Sequence, residues 1–448
     1  MIEIDVQSRR KGIDAPEADT PFRILILGDF GCQTPKPVLV NRDNLDLTIK
    51  KLGVSVELPQ GGRIGFEQLE DFHPDELCRR VPLFQTLRDA KKKAHEPDVK
   101  RIVEAAKPAT EDILRAGSLL DMAVAQSEGA PKRAADPFLD YVERLVAPYT
   151  VAKPDPKQEQ LMQRLEAAMA GNLRAILQSP DFQALEAAWR GVDFVTRSVD
   201  DDVAVKIFIY SVSKTDLAAE LNAASDLRQT SLFRFLVEQA VATPGAPRWS
   251  VVAGNYLFGP DDASDVELLG RIALIASVAG APFIAGGTPD PNVWLETPEY
   301  WRQLASIPEA SFLAIALPRF LLRLPYGAKS SSIESFAFEE MQGSEHNSYL
   351  WGNPAFAILR LIIEDFSEED WRMTPGRSLD LTGLPAHVYE EDGEKVLKPC
   401  AELLLTQDVA EKLMEKGLMP LLSLKNSDRA HLAGYRAING GRLAGPWN

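Results

Sequence analysis

The stretch Trp249–Ala285 reads WSVVAGNYLFGPDDASDVELLGRIALIASVAGAPFIA. Trp249–Ala253 is a short apolar run with the character of a buried strand, Asp265–Ala279 has the length and pattern of a helix, and Pro282–Ala285 is strand-like again. The alternation continues outward. Upstream lie a strand at Ala204–Tyr210 and helices at Lys214–Asn222 and Ser231–Ala240. Downstream come a helix at Glu299–Ser306, a strand at Phe312–Ala316, a helix at Pro354–Phe366, a strand at Ala401–Leu405 and a helix at Asp408–Lys416. Strands that alternate with helices predict an α/β (mixed α+β) layer fold with a largely parallel sheet, because parallel neighbours need a long crossover between them.

The N-terminal part has a different texture. Ile2, Ile4 and Val6 alternate with Glu3, Asp5 and Gln7, the pattern of a strand with one apolar face, and a polar arm of residues 9–20 follows. Phe22–Leu27 is a strand that runs into the turn Gly28-Asp29-Phe30-Gly31, and Val54–Leu58 and Arg63–Phe66 flank a Gly61-Gly62 turn. Pro74 fits the first position of a helix whose Asp75 and Glu76 complement the positive end of its dipole. Leu83–Leu120 reads as helical with a basic surface, Gln126–Pro137 and Pro148–Pro156 as linkers, and Gln158–Leu177 and Asp181–Arg197 as helices. The Gly-rich tail Asn439–Asn448 predicts no regular element. The expected organisation is an N-terminal strand and arm (1–20), a first domain (21–110), a helical linker (111–157) and a second domain (158–448).

Composition narrows the function. The 448 residues carry 45% apolar and 25% charged side chains, an ordinary globular balance, with a formal net charge of −16. Such acidity argues against nucleic acid and anionic membranes as partners. Three dispersed cysteines, Cys32, Cys78 and Cys400, suit a reducing cytosol rather than a disulfide framework. MIEIDVQSRRKG has no apolar core of a signal peptide, and no run of eighteen apolar residues predicts a membrane span. A cytoplasmic protein is the expectation.

Motifs for chemistry are missing. No strand is followed by G-x-G-x-x-G, and Gly327-Ala328-Lys329-Ser330 lacks the glycines of a phosphate-binding loop. His73, His95, His346, His387 and His431 form no metal-ligand spacing; Glu339, Glu340, Glu345 and His346 read as a polar loop rather than a ligand group. No nucleophile elbow appears. The basic run Arg88–Arg101 lacks interleaved aromatics and reads as a solvated helical face. No catalytic, cofactor-binding or metal residues are assigned.

Two sets of segments carry a resemblance instead. Ile24–Phe30 (ILILGDF, with Asp29), Val40–Leu45 (VNRDNL, with Asn41 and Asp43), Leu69–Leu77 (LEDFHPDEL, with Pro74) and Val81–Leu87 (VPLFQTL) resemble, in order, the small subunit of the type VI secretion contractile sheath. A longer series resembles its large subunit. It runs from Asp181–Arg190 (DFQALEAAWR, with Trp189 and Arg190) through Thr243-Pro244-Gly245, Val251–Phe258, Asp265–Leu269 and Ala281–Ala285. It continues with Leu317–Gly327 (LPRFLLRLPYG, with Pro318, Arg319, Arg323, Pro325, Tyr326 and Gly327) and Tyr349–Phe356 (YLWGNPAF, with Trp351, Gly352 and Asn353). Lys398–Cys400 and Gly417–Asn426 close it.

The resemblance implies a structural, non-enzymatic protein: a fused protomer that self-assembles into a helical tube or ring around an inner tube. Inner-tube and baseplate proteins, conventional sheath subunits and a disassembly ATPase are the implied partners. It also implies exchange of terminal strands between protomers, for which Ile2, Ile4 and Val6 are the candidate; pairing of that strand within its own domain is the alternative. An accessory sheath-like protein and an α/β enzyme with a dispersed site are the other readings. Trp189, Trp351 and Phe320 are expected to fill core positions, and Arg319 and Arg323 to pair with buried carboxylates or with a neighbouring subunit.

Overall fold

The computed structural model describes residues 20–34, 36–92, 156–342, 346–391 and 393–447. The strand Ile2–Val6, most of the basic run and nearly all of the linker at 111–157 lie outside these. The chain divides into two compact units. One comprises the residues up to His73, Gln178–Ile333 and Glu339 onward; the other comprises Pro74–Leu177 and Glu334–Phe338.

The larger unit is built on a nine-stranded sheet. In chain order the strands among the described residues are β1 (Phe22–Gly28), β2 (Val38–Val40), β3 (Ser55–Glu57), β4 (Arg63–Gly65), β5 (Val205–Ser211), β6 (Val251–Phe258), β7 (Phe283–Gly287), β8 (Leu313–Leu317), β9 (Phe320–Leu321), β10 (Trp351–Gly352), β11 (Asp380–Leu381), β12 (Val388–Glu391), β13 (Glu394–Leu397), β14 (Leu418–Ser423) and β15 (Ala430–Leu432). The large sheet runs β11-β15-β14-β8-β7-β6-β1-β5-β2. Its six central strands, β14 to β5, are parallel, and β2, β15 and β11 add antiparallel edges. The remaining strands form three two-stranded sheets, β3–β4, β9–β10 and β12–β13. A mixed α/β fold with a mainly parallel sheet is thus observed.

β1 is an interior strand of that sheet, third from the β2 edge. Phe22–Gly28 pairs with Val205–Ser211 along its whole length and Ile24–Leu27 with Val251–Gly254. Residues read as opening a domain of 21–110 and residues read as belonging to 158–448 therefore alternate within one sheet. After the partly buried Arg23, the run Ile24–Leu27 has no polar face to offer water, and both of its faces are covered. Leu25 and Leu27 join a core cluster with Val252, Phe283, Leu313 and Ile315 of the sheet and with Leu268, Leu269, Ile272 and Ile275 of the helix Ala263–Ala279. On the opposite face Phe22 meets Phe366 of the helix Pro354–Glu369 at 4.7 Å between ring centroids. That helix also packs on β6, β7 and β8 and on the helix Pro180–Thr196.

Local structure departs from the sequence reading at several points, the short strands β9 to β13 and the strands β14 and β15 among them. Val38–Val40 and the helix Leu45–Leu52 were not anticipated; three residues carry too little alternation to register. Ser231–Ala240 is α-helical only at Ser231–Phe233 and continues as a π-helical turn, Arg234–Glu238. Ala401–Leu405 forms no strand; Ala401 makes a single bridge to Phe320.

The smaller unit contains the helices Pro74–Arg80, Pro82–Lys92 and Pro156–Leu177. The buried Asp75 carboxylate accepts hydrogen bonds from Glu334 N, Ser335 N and Ser335 Oγ, which ties the strap Glu334–Phe338 to the first helix.

Candidate functional site: the signature segments and a buried ion cluster

The two aromatic, Arg- and Pro-studded segments are 22 residues apart in sequence and lie side by side. β9 pairs antiparallel with β10, with Leu321 opposite Trp351 and Phe320 opposite Gly352. The Leu317–Pro318 peptide is cis; β8 ends at Leu317 and β9 begins at Phe320. Gly352 permits the approach: a Cβ there would come within 2.7 Å of Leu322 Cγ. Asn353 then caps the helix that follows. Its Oδ1 accepts from Ala355 N at 2.9 Å, and its Nδ2 donates to Tyr256 O at 2.8 Å, which pins the helix start to β6.

Beyond β9 the chain delivers Arg323 into the interior, 8% exposed, between two fully buried carboxylates. Arg323 Nε donates to Glu186 Oε1 at 2.8 Å and Nη1 to Glu340 Oε2 at 2.8 Å; Nη2 reaches Glu186 Oε2 at 3.2 Å and Glu340 Oε1 at 3.0 Å. Nη1 also donates to Leu324 O at 3.1 Å, so all five N–H donors are engaged. Arg190, one helical turn after Glu186, donates to Glu186 Oε1 at 2.7 Å and to Tyr326 OH at 3.3 Å. Tyr326 N donates to Glu340 Oε2 at 2.7 Å, and the Tyr326 ring lies under the Arg323 guanidinium at 4.3 Å. Two guanidinium and two carboxylate groups make the cluster electrically neutral, the condition for burying charge at tolerable cost.

Burial opposes ionisation of Glu186, but the fields of Arg323 and Arg190 and their hydrogen bonds outweigh it and hold the carboxyl below its ordinary range. Burial likewise works against the Arg323 cation, and Glu186 and Glu340 more than offset it, lifting it well above the usual value. Tyr326 is pushed up to about 12, chiefly by burial, and stays a neutral phenol. Arg319 follows the same logic nearer the surface. It donates through Nε and Nη2 to the carboxylate of Glu402, the first at 2.8 Å, and His346 Nε2 lies 3.2 Å from Glu402 Oε1. Burial would raise Glu402, but Arg319 and then His346 bring it below the ordinary range.

The other singled-out residues lie around this frame. Trp189 is fully buried and donates from Nε1 to Phe30 O at 3.2 Å, so the helix of DFQALEAAWR holds the turn of ILILGDF. Asp29 Oδ1 accepts from Gly31 N. Asn41 and Asn44 exchange hydrogen bonds, N to Oδ1 in both directions, at the start of the helix Leu45–Leu52. Asp43 is exposed, Pro74 is buried at its helix start, and Trp351 and Phe320 are 6% and 0% exposed. Gly327 N donates to Ser331 O, and Pro325 O accepts from Ser330 Oγ. Sequence reasoning missed Glu186 and Glu340. Glu340, read as part of a polar loop, is fully buried; its place after the aromatic run Phe336–Phe338 was the available signal.

The charged groups of the cluster are engaged with one another. The cysteine thiols are raised by burial, Cys78 to about 12 and Cys400 to about 11, which leaves them poor nucleophiles. Among the described residues no three His, Cys, Asp or Glu side chains are grouped as metal ligands. A concavity of about 490 Å³, open to solvent, is lined by Gln33, Thr34, Ser211, Val212 and Asp216. Its hydroxyls are already committed, Thr34 Oγ1 to Ser211 N and Ser211 Oγ to Cys32 O.

Residues 159–439 match the VipB family, described as EvpB/VC_A0108, tail sheath N-terminal domain. The chain belongs to this tail sheath family. The matched range contains Glu186, Arg190, Arg323, Tyr326, Glu340 and both signature segments, so the buried cluster lies inside the sheath domain. The type VI secretion system sheath protein TssC1 of Pseudomonas aeruginosa is 32% identical over 304 residues, covering 62% of this chain and 61% of that protein. The chain thus spans about three fifths of the length of this curated sheath relative.

Proposed function

We propose that this chain is a structural subunit of a type VI contractile sheath, with a small-subunit-like part and a large-subunit-like part in one polypeptide. It acts by assembling with further copies of itself in the cytoplasm, around an inner tube, and it performs no catalysis. Baseplate proteins and a disassembly ATPase are its further partners. What carries the reading is the position of β1. A strand from the small-subunit-like part lies inside the sheet, paired on both sides with strands β5 and β6 of the sheath-family part. The fusion makes that insertion intramolecular and independent of concentration.

The segments 1–20 and 111–157 serve in this proposal as a terminal arm and a linker, and Ile2, Ile4 and Val6 form a strand that adds to the sheet of a neighbouring protomer. Contraction would be a concerted change between two packings of the same protomers.

Negative-stain microscopy of the purified chain tests this. Tubes or rings are expected, and deletion of residues 1–8 should abolish them while leaving the thermal melt nearly unchanged. A chain that stays monomeric at high concentration, alone and with separate sheath subunits, would refute the assembly reading.

A further inference from the structure

Three cations at one end of the large sheet have no counter-ion among the described residues. Arg23 is the second residue of β1, on the same face as Leu25 and Leu27, and the register sets it beside Lys206 of β5. Its guanidinium is held over the Trp249 ring at 4.0 Å and the Phe208 ring at 4.9 Å, and its Nη1 donates to Pro247 O. Arg248 adjoins Trp249 in the segment just before β6, and both Arg248 and Lys206 are exposed. None of the three forms an ion pair with a described residue, in a chain with 65 acidic and 49 basic side chains. An arginine packed against two touching aromatic rings loses little further freedom on binding, and a guanidinium fork suits a carboxylate. Arginine beside buried tryptophan is also the composition of interface hot spots.

The same end of the sheet carries the complementary group. Asp200, Asp201 and Asp202 are consecutive, exposed and without an ion pair among the described residues, in the turn that leads into β5. Nucleic acid or an anionic membrane would meet the repulsion of the −16 net charge, whereas a short carboxylate turn brings three charges to three. We propose that the corner formed by Arg23, Lys206 and Arg248 is a contact between copies of this chain, and that it receives the Asp200–Asp202 turn of a second copy. This rests on the reading that the chain self-assembles and names one contact through which it does so. Isolated surface ion pairs contribute little, but a pre-ordered arginine flanked by two further cations and facing three carboxylates forms a network.

Charge exchange tests it with full-length protein. Lys206→Glu with Arg248→Glu reverses the corner, and Asp201→Lys with Asp202→Lys reverses the turn; all four side chains are exposed, so melting should be unaffected. Sedimentation velocity is expected to show each double variant needing about tenfold more protein to assemble than wild type. An equimolar mixture of the two should assemble at the wild-type concentration, because each reversed corner meets a reversed turn. Added salt should weaken wild-type assembly. Wild type and both variants assembling alike would overturn this contact and leave self-assembly standing, as would a corner that binds an oligonucleotide or anionic vesicles while assembly ignores the reversals. Two impaired variants whose mixture stays impaired would likewise overturn it. A wild-type chain that never assembles would overturn both.

Discussion

Arg323 illustrates how a buried charge becomes a structural bolt. Its five donors join Glu186 on one helix, Glu340 in the loop before β10 and its own neighbouring carbonyl. Arg323→Met would leave two buried carboxylates without their main counter-charge; we expect a loss of about 3–5 kcal/mol, read from denaturant unfolding. Arg323→Lys should recover only part of it, because an ammonium cannot bridge two carboxylates as a planar fork does. Acid should have a similar effect. The folded-state pKa values of Glu186 and Glu402 are depressed, so their contribution is complete above the unfolded-state carboxylate value of about 4.3 and is lost as pH falls through the folded values. Stability measured from pH 6 downward should therefore decline on entering that range, and Glu402→Gln should flatten the decline. That Arg319 and Arg323 pair with carboxylates was one of two outcomes open from sequence. Glu186 and Glu402 were not readable as their partners, since they are 137 and 83 positions away and local pattern carries no information over such distances; Glu340 is 17 positions from Arg323.

Close packing between elements depends on small residues at exact contact points. Gly191, in the helix Pro180–Thr196, faces Phe356 of the helix Pro354–Glu369; a Cβ at residue 191 would stand 2.2 Å from Phe356 Cε2. Gly191→Ala should cost about 1–3 kcal/mol in equilibrium unfolding through this overlap, although alanine is the better helix former. Asn353→Ala removes a helix cap and leaves Tyr256 O without its donor, so a cost of about 1–2 kcal/mol is expected from the same measurement. The long elements were legible because an apolar run or a helical repeat sustained over many residues suits one kind of element and disfavours the others. β2, β9 and β10, with two or three residues each, were not: such strands exist because a neighbour supplies their hydrogen bonds.

At the scale of the molecule the decisive fact is the order β6-β1-β5, which sets the first strand of the described residues between two strands that come about 180 to 230 positions later. A fragment of residues 156–448 would lack that strand and expose apolar faces and unpaired backbone along β5 and β6. We expect this fragment to be insoluble or to lose near-UV circular dichroism, and co-expression with residues 1–92 to restore a soluble complex. A well-folded fragment on its own would show β1 to be dispensable. Apolar runs, helical periods and turn residues were enough to establish an α/β protein with a parallel sheet, and the order of the motifs was enough to point to the sheath family, because such signals are local and survive without a structure. Which strand stands beside which, which carboxylates face Arg323 and which cations are left unpaired came only from tertiary structure, since those pairings form between residues tens to hundreds of positions apart and are selected by how the whole core packs.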